Sequence, residues 1–206
     1  MSQSKQRNYK SRGAEAKVYF SDLFGLPVVI KIRDKKEYRI SELDEILRKT
    51  RNKTEARCIL HALKNSINVP KIYHAGKYEL ILERLEGKLM KDRKNSPNDY
   101  RNVGKLLCKL HSIGITHGDF TPANVMFIKN EPYIIDFGLA EFSKDPEERA
   151  IDVLLMKRSI GRNFKYFLEG YKNLKGWEKI IGQMDEIEKR GRYQKRKESK
   201  EEEETE

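Results

Sequence analysis

Short runs of β-branched and aromatic residues mark candidate strands in the first ninety positions of the chain. Four such runs are bounded by turn residues: Val18–Phe20, Val28–Ile32, Ile72–Tyr73 and Tyr78–Leu82. Between the second and the third run, apolar residues from Leu43 to Leu63 recur at three-to-four spacing, which predicts a long helix. The pattern therefore predicts a small sheet with one or two helices.

From about Ser96 onward the pattern becomes mostly helical. Ser96 is a capping residue, Pro97 fits the first helical position, and the apolar stripe that follows stops at Gly114. Asp145 and Pro146 repeat the start signal ahead of a second apolar stripe. Two short runs between these helices predict a hairpin: Val125–Ile128 and Tyr133–Ile135.

The composition favours a soluble protein with a polyanionic partner. Lys and Arg number 43 against 32 Asp and Glu, and the formal net charge of +11 favours nucleic acid or phosphates as partners. No apolar run approaches the ~20 residues that a membrane span needs, and the N-terminus lacks the apolar core of a signal peptide. We therefore expect a cytoplasmic protein. Cys58 and Cys108 are too few for a disulfide framework, and we expect them to be reduced core residues.

The end of the chain changes in character. Basic residues crowd between Lys189 and Lys200, and acidic residues dominate from Glu201 to Glu206. Because no apolar face runs beyond about Ile187, we expect residues 194–206 to form a flexible charged tail.

The predicted hairpin brings three oxygen-bearing side chains toward one loop mouth. Asn124 enters the hairpin and Asp136 leaves it, so their side chains should lie side by side. Asp119, five residues before Asn124 on a loop, can face the same space. Mg²⁺ prefers oxygen ligands, and it commonly takes one or two from protein and the rest from phosphates and water. The three residues therefore predict a magnesium–phosphate site.

The motif His117-Gly118-Asp119, with Asn124 and then Asp136-Phe137-Gly138, resembles the catalytic core of eukaryotic-type protein kinases. The resemblance implies ATP and Mg²⁺ as ligands. It also implies that Asp119 accepts the proton of the phosphoryl acceptor, and that Asn124 and Asp136 hold magnesium.

The same resemblance implies a set of nucleotide contacts in the N-terminal part. Lys31 matches the catalytic strand lysine that reaches the α- and β-phosphates, and Glu55 falls where the kinase ion-pair glutamate belongs. The phosphate-covering loop, residues 11–19, carries one glycine rather than three. The residues implied to contact the nucleotide are Arg12, Gly13, Ala14, Ala16, Val18, Lys31, Glu55 and Glu83.

Departures from the kinase pattern narrow the family. Gly118 replaces the arginine that would pair with an activation-loop phosphate, and no Ala-Pro-Glu follows Gly138. Together with Arg51–Ala56 and Arg149–Asp152, these features resemble the atypical kinase subunit of the KEOPS complex, the PRPK/Bud family. In kinases an aspartate on the corresponding helix braces the catalytic loop, and the resemblance gives that role to Asp152.

The resemblance implies an α+β, protein-kinase-like fold with two lobes. A small N-terminal sheet lobe would span residues 1–87, a truncated helical C-terminal lobe residues 88–193, and the tail residues 194–206. Members of the group bind ATP and Mg²⁺ and phosphorylate Ser or Thr; within KEOPS they act as an ATPase that supports threonylcarbamoylation of adenosine at position 37 of tRNA. The implied partners are a Kae-type tRNA threonylcarbamoyltransferase subunit, a Cgi-type small subunit, and tRNA at the basic part of the tail, with no membrane contact.

Three alternatives share part of this pattern. Small-molecule phosphotransferases of the aminoglycoside and choline type also favour His-Gly-Asp-x-x-x-x-Asn, but they carry a larger helical lobe than the 68 residues after Gly138 would form. RIO-type kinases are also short, but the loop Gly13–Ala16 and the pair Glu55–Ala56 favour the KEOPS group. A scaffold that holds tRNA and partner subunits without catalysis stays open, although every residue needed for ATP chemistry is present.

Overall fold

A five-stranded antiparallel sheet and one long helix form the N-terminal part of the protein. The structure is a computed structural model that describes residues 8–12 and 16–203, with side chains from 16 to 190. The sheet has the order β1-β2-β3-β5-β4. Its strands are β1 (Asn8–Arg12), β2 (Lys17–Leu23), β3 (Leu26–Ile32), β4 (Ile72–Ala75) and β5 (Glu79–Glu83), and the helix is α1 (Ser41–Lys64). The four predicted strands and the long helix are all present.

The central strand β3 supplies side chains to a cleft on one face of this sheet. Val29 and Lys31 alternate along the strand and both line the cleft. Val18 on β2 lies opposite Lys31, and Leu82 on β5 lies opposite Val29. Because cross-strand partners share a face, these two residues line the same cleft.

Helices and two small sheets form the rest of the described chain. The helices are α2 (Pro97–Ser112), α3 (Pro146–Ile160), α4 (Phe164–Tyr171) and α5 (Trp177–Glu203). The strands β6 (Lys88–Leu89), β8 (Val125–Ile128) and β9 (Glu131–Ile134) form one sheet, and β7 (Ile115–Thr116) pairs with β10 (Glu141–Phe142). Buried apolar side chains from α1, the β8–β9 hairpin, α2, α3 and α5 form one continuous core. Within residues 8–12 and 16–203, no helix combines the length and apolarity that a membrane crossing requires.

Local signals in the sequence place the starts of two helices and the turn of the hairpin. The Ser96 hydroxyl accepts the Asp99 N–H at 3.2 Å while the Asp99 carboxylate accepts the Ser96 N–H at 2.8 Å, so α2 begins with a capping box. Asp145 caps α3 and accepts a backbone N–H at 2.9 Å. The β8–β9 hairpin turns through Lys129 and Asn130, which both have positive φ, as a two-residue type I′ turn requires.

The first half of α1 differs from the predicted apolar stripe. Leu43 and Ile46 are 49% and 61% exposed, whereas Asp44 is fully buried. Asp44 accepts the Lys36 N–H at 3.2 Å and the Nε–H of Arg48 at 2.7 Å. An ionic anchor therefore holds this end of the helix, and the apolar contacts begin only in its second half.

The C-terminal helix is longer than the sequence pattern predicts. Where the sequence predicts a tail over residues 194–206, α5 continues to Glu203, and residues 204–206 lie outside the described residues. The flexibility of this segment stays a prediction. Gln, Lys, Arg and Glu are strong helix formers. A helix already nucleated by the packed residues Ile180 and Met184 needs no apolar face to extend. The boundary between residues 87 and 88 lies directly before β6 and stays a prediction.

The two cysteines belong to the packed interior. Cys58 and Cys108 are free and buried, as expected from their positions in apolar helical stripes. Burial raises the pKa of Cys58 to about 12. The Cys58 thiol is therefore protonated at neutral pH and serves packing.

Candidate active site

A cleft of about 610 Å³ lies between the sheet and the β8–β9 hairpin. Part of its wall is apolar and consists of Val18, Val29, Leu82, Met126 and Ile135. Another part is charged or polar and consists of Lys31, Glu55, Asn124 and Asp136. An apolar slot beside a charged end suits a planar base attached to phosphates. The sequence analysis identified the charged end but missed most of the apolar wall, although strand alternation around Val29 and Leu82 is a signal for part of it.

Lys31 bridges two carboxylates inside the cleft. Its Nζ lies 2.7 Å from Glu55 Oε1 and 2.6 Å from Asp136 Oδ1. Burial would lower the pKa of Lys31, but the Glu55 and Asp136 carboxylates outweigh burial and hold that pKa above its ordinary value. Lys31 is therefore a fixed cation at the charged end of the cleft.

Asp136 leaves the hairpin in a left-handed backbone conformation, with a φ of 60°. Its Oδ1 accepts the Gly138 N–H at 3.3 Å in addition to the contact with Lys31. Loss of hydration would raise the pKa of Asp136, but Lys31 and this N–H hold the pKa below its ordinary value. An ionised carboxylate at this place is a suitable ligand for Mg²⁺.

Asn124 joins Asp119 to the mouth of the hairpin. Its Nδ2 donates to the Asp119 backbone oxygen at 2.9 Å and to Asp119 Oδ2 at 2.8 Å. Because both amide hydrogens serve Asp119, the amide oxygen of Asn124 is the atom left for a metal. Over the described part of the chain, no three His, Cys, Asp or Glu side chains are placed to hold a metal by themselves. The donor set therefore fits a magnesium ion that takes further ligands from phosphate and water.

The loop that carries Asp119 is held from α3 by Asp152. The Asp152 carboxylate accepts the N–H of His117 at 2.7 Å and the N–H of Gly118 at 2.8 Å. The Nε2 atom of His117 lies 3.1 Å from the backbone oxygen of Ile135, which ties the same loop to the hairpin. Asp152 and His117 thus brace the loop from two sides.

Gly118 occupies a position that has no room for a side chain. Its φ is 78°, and a Cβ there would overlap the backbone oxygen of Leu139. The absence of an arginine at this position therefore has a geometric cause. Leu139 directly follows Asp136–Gly138, so the backbone of the His117–Asp119 motif lies close to the residue after the Asp136–Gly138 motif.

Arg33 contacts Glu55 of the charged end without lining the cleft, and the sequence analysis did not select it. Its side chain is 1% exposed, and its Nη2 lies 2.6 Å from Glu55 Oε2 and 3.4 Å from the Gly138 oxygen. Arg33 follows Lys31 by two positions, and strand alternation places residues at that spacing on one face. That spacing is the signal that identifies Arg33.

The predicted phosphate-covering loop is described only in part. Ala16 is buried and Val18 lines the cleft. Gly13 and Ala14 lie outside the described residues, and Arg12 is described only in its backbone, at the end of β1. The roles of Arg12, Gly13, Ala14, Ala16 and Val18 toward a nucleotide stay predictions.

Glu83 ends β5 at the edge of the cleft. Its Oε2 accepts the Lys71 N–H at 3.2 Å, and its Oε1 lies 3.7 Å from Lys71 Nζ. The backbone N–H of Glu83 also donates to the Lys71 oxygen, at 2.8 Å. The role of Glu83 toward a nucleotide stays a prediction. Glu83, Arg84, Leu85 and Gly87 all line the cleft, and the last three were not selected from the sequence.

Comparisons with known proteins place the chain in a family. A model of the RIO domain family matches residues 29–175. The KEOPS complex subunit Bud32 of Pyrococcus abyssi is 38% identical over 210 residues, which cover 90% of this chain and 96% of that protein. A probable serine/threonine-protein kinase BUD32 homolog of Archaeoglobus fulgidus is 38% identical over 176 residues, which cover 82% of this chain and 90% of that protein.

A longer relative and a solved structure extend this picture. A probable bifunctional tRNA threonylcarbamoyladenosine biosynthesis protein of Methanosphaera stadtmanae is 36% identical over 90% of this chain, but the chain spans only 37% of that protein. The Rio2 kinase of Chaetomium thermophilum, in a complex with ADP, Mg²⁺ and phosphoaspartate, matches 86% of this chain and 65% of its own with a TM-score of 0.65 at 18% identity. That likeness shows the kinase-like α+β fold expected from the sequence.

The RIO-type and KEOPS-type groups, which the sequence analysis treated as alternatives, both match here. The chain belongs to the RIO domain family and, within it, to the Bud32 proteins.

Proposed function

We propose that this protein is an ATP-dependent serine/threonine kinase and ATPase that works as a KEOPS subunit in threonylcarbamoyladenosine modification of tRNA. The observation that carries the proposal is the bridge of Lys31 between Glu55 and Asp136, at 2.7 and 2.6 Å, inside the cleft. The names of the relatives, a KEOPS subunit and a tRNA threonylcarbamoyladenosine biosynthesis protein, support the biological setting. Because the proposed function is in tRNA modification, we expect the protein to lie in the cytoplasm.

Four side chains have assigned tasks in the proposed reaction. Lys31 would neutralise the α- and β-phosphates of ATP, and Asn124 and Asp136 would hold Mg²⁺, which neutralises charge on the β- and γ-phosphates when it is bound. Asp119 would accept the proton of the attacking hydroxyl group of Ser, Thr or water. As that proton leaves, the new bond from oxygen to the γ-phosphorus forms and the bond to ADP breaks.

The proposed partners are a Kae-type subunit at the helical part, a Cgi-type subunit at the sheet part, and tRNA at the basic residues 189–200. A group of exposed apolar side chains near the start of α1 supports a protein partner at the sheet part: Tyr38, Ile40, Leu43 and Ile46. Exposed apolar groups of this kind are typical of surfaces that partners cover.

The catalytic proposal is tested with Asp119→Asn and Lys31→Met in the full chain. Both changes should lower ATP hydrolysis and autophosphorylation by roughly 100-fold or more, because one removes the proton acceptor and the other a phosphate-binding cation. Lys175→Met is the matched control, because Lys175 is exposed and far along the chain from the cleft. Circular dichroism and thermal unfolding verify that each variant is folded. Unchanged turnover in both variants would show that the assigned roles are wrong.

The same variants separate catalysis from a scaffold role. They are added to the partner subunits and tRNA, and formation of threonylcarbamoyladenosine is measured. Under the proposal, both variants support much less modification than the wild type and Lys175→Met supports as much. Full modification by variants that no longer hydrolyse ATP would instead identify a scaffold.

A further inference from the structure

The Glu55 carboxylate forms ion pairs with two basic side chains, one at each oxygen. Lys31 Nζ lies 2.7 Å from Oε1, and Arg33 Nη2 lies 2.6 Å from Oε2. The side chains of Glu55 and Arg33 are each 1% exposed, so water does not screen their contact. A buried charge without a partner is strongly unfavourable, and this geometry leaves Glu55 with a partner even when Lys31 is engaged elsewhere.

Arg33 also reaches the segment that carries the metal-binding candidate. The same Nη2 atom lies 3.4 Å from the backbone oxygen of Gly138, two residues after Asp136. One guanidinium thus contacts both α1, through Glu55, and the Asp136–Gly138 segment. The guanidinium keeps its positive charge at every physiological pH, so both contacts persist while the pH changes.

Four charged side chains meet here, two cations and two carboxylates, and the two cations differ in what they contact. Lys31 and Arg33 face two carboxylates, Glu55 and Asp136. Lys31 touches both carboxylates and lines the cleft, so an anionic ligand would draw on its charge. Arg33 does not line the cleft, and its contact with Glu55 does not involve Lys31.

We propose that Arg33 is a positioning residue, which holds Glu55 on α1 and the Asp136–Gly138 segment in one arrangement so that Lys31 is free to bind phosphate. The inference rests on the proposed phosphoryl transfer. Transfer needs the lysine–glutamate pair and the metal-binding aspartate in place together. Arg33 contacts both Glu55 and the Asp136–Gly138 segment without lining the cleft.

The test compares Arg33→Met, Glu55→Gln and the double variant in the full chain. Arg33→Met should lower kcat for ATP hydrolysis by about 10- to 100-fold, because small misplacements of reacting groups have effects of that size, while the KM for ATP changes less. Because Arg33 and Glu55 serve the same arrangement, the loss in the double variant should be smaller than the product of the two single losses. Losses that multiply in the double variant, or an unchanged kcat in Arg33→Met, would overturn the proposal.

Two further variants separate positioning from general stability. Arg33→Lys keeps the charge, and we expect a kcat several-fold below that of the wild type, because the lysine side chain ends one bond short of the Nη2 position that meets both acceptors. A wild-type kcat in this variant contradicts the proposal even if Arg33→Met fails to fold. Arg48→Met removes a comparable ion pair, that of Arg48 with Asp44 at 2.7 Å, and should leave kcat unchanged. Absence of ATP hydrolysis by the wild type would instead refute the proposed function itself.

Discussion

Asp152 is a fully buried carboxylate that shapes the loop 34 residues before it in the chain. It accepts the backbone N–H groups of His117 and Gly118, and the Nε2 atom of His111 lies 3.1 Å away. A carboxylate can only accept, so Nε2 of His111 carries the hydrogen, and Nδ1 accepts the Tyr171 hydroxyl at 2.7 Å. A neutral histidine in one tautomer therefore holds Asp152, which in turn holds the loop of Asp119.

This histidine makes stability sensitive to acid. Burial lowers the pKa of His111, although Asp152 opposes the shift. In the unfolded chain His111 binds a proton near its ordinary pKa of about 6.5, while the folded protein resists protonation. The unfolded state then binds more protons than the folded state, so the free energy of unfolding falls as pH drops below about 6.5.

We predict that His111→Gln weakens this acid dependence. The slope of unfolding free energy against pH, at most about 1.4 kcal/mol per unit for one group, should be smaller in the variant than in the wild type below about pH 6.5. Urea denaturation over a series of pH values measures it. Equal slopes in His111→Gln and the wild type would contradict the prediction.

At the scale of elements, α2 and α4 cross at a pair of glycines. A Cβ on Gly104 would overlap the backbone oxygen of Phe167, and a Cβ on Gly170 would overlap that of Arg101. The two helix backbones are therefore in direct contact. This crossing holds Tyr171, the last residue of α4, against His111 of α2. Close packing of α2 and α4 thus fixes the contact of Tyr171 with His111, which holds Asp152.

We predict that Gly104→Ala and Gly170→Ala each destabilise the protein. Overpacking at the crossing should lower the free energy of unfolding by about 1–3 kcal/mol or more, against a gain of about 1 kcal/mol from helix propensity. Gly182→Ala on α5 is the matched control, because nothing lies within 4 Å of a Cβ at that position. It should stabilise the protein by about 0.5–1 kcal/mol. Stabilisation by Gly104→Ala in urea denaturation would show that the crossing is not tight.

At the scale of the whole molecule, charge is unevenly distributed. The formal net charge is +11, and α5 carries the basic residues between Lys189 and Lys200 ahead of the acidic residues that dominate 201–206. Because α5 is continuous to Glu203, this basic segment extends from the packed residues of the helix. A basic segment on a helix is a suitable contact for the phosphates of tRNA.

We predict that neutralising this basic segment weakens tRNA binding. A variant in which four residues are changed to Gln should bind tRNA less tightly, and its affinity should depend less on salt, by about 0.9 in the logarithmic slope for each lost phosphate contact. The four residues are Arg192, Lys195, Arg196 and Lys197. Changing Glu201–Glu204 to Gln is the control of opposite sign and should strengthen binding. Filter binding at several salt concentrations measures both, and identical salt slopes would contradict the prediction.

Features that depend on contacts between near neighbours in the chain were predicted correctly, whereas features that depend on distant contacts were missed. Ser96 predicted the start of α2 correctly, because a capping box joins residues only three positions apart. Leu43 and Ile46 predicted a buried stripe and are exposed instead, because Asp44 rather than an apolar contact anchors that turn. Arg33 was not selected although it follows Lys31 by two positions, because its part in the site depends on its contact with Glu55, 22 residues away.

By itself, the sequence determined six of the strands, the starts of α2 and α3 and the β8–β9 hairpin, because caps, turns and periodicity act between neighbours along the chain. It also predicted that Asp119, Asn124 and Asp136 form one group. Only the tertiary structure decided that Lys31 meets Asp136 across 105 positions and that α5 extends past its packed residues. It also decided that Gly118 has no room for a side chain. Such contacts depend on how distant elements pack together, and no local pattern of residues encodes that packing.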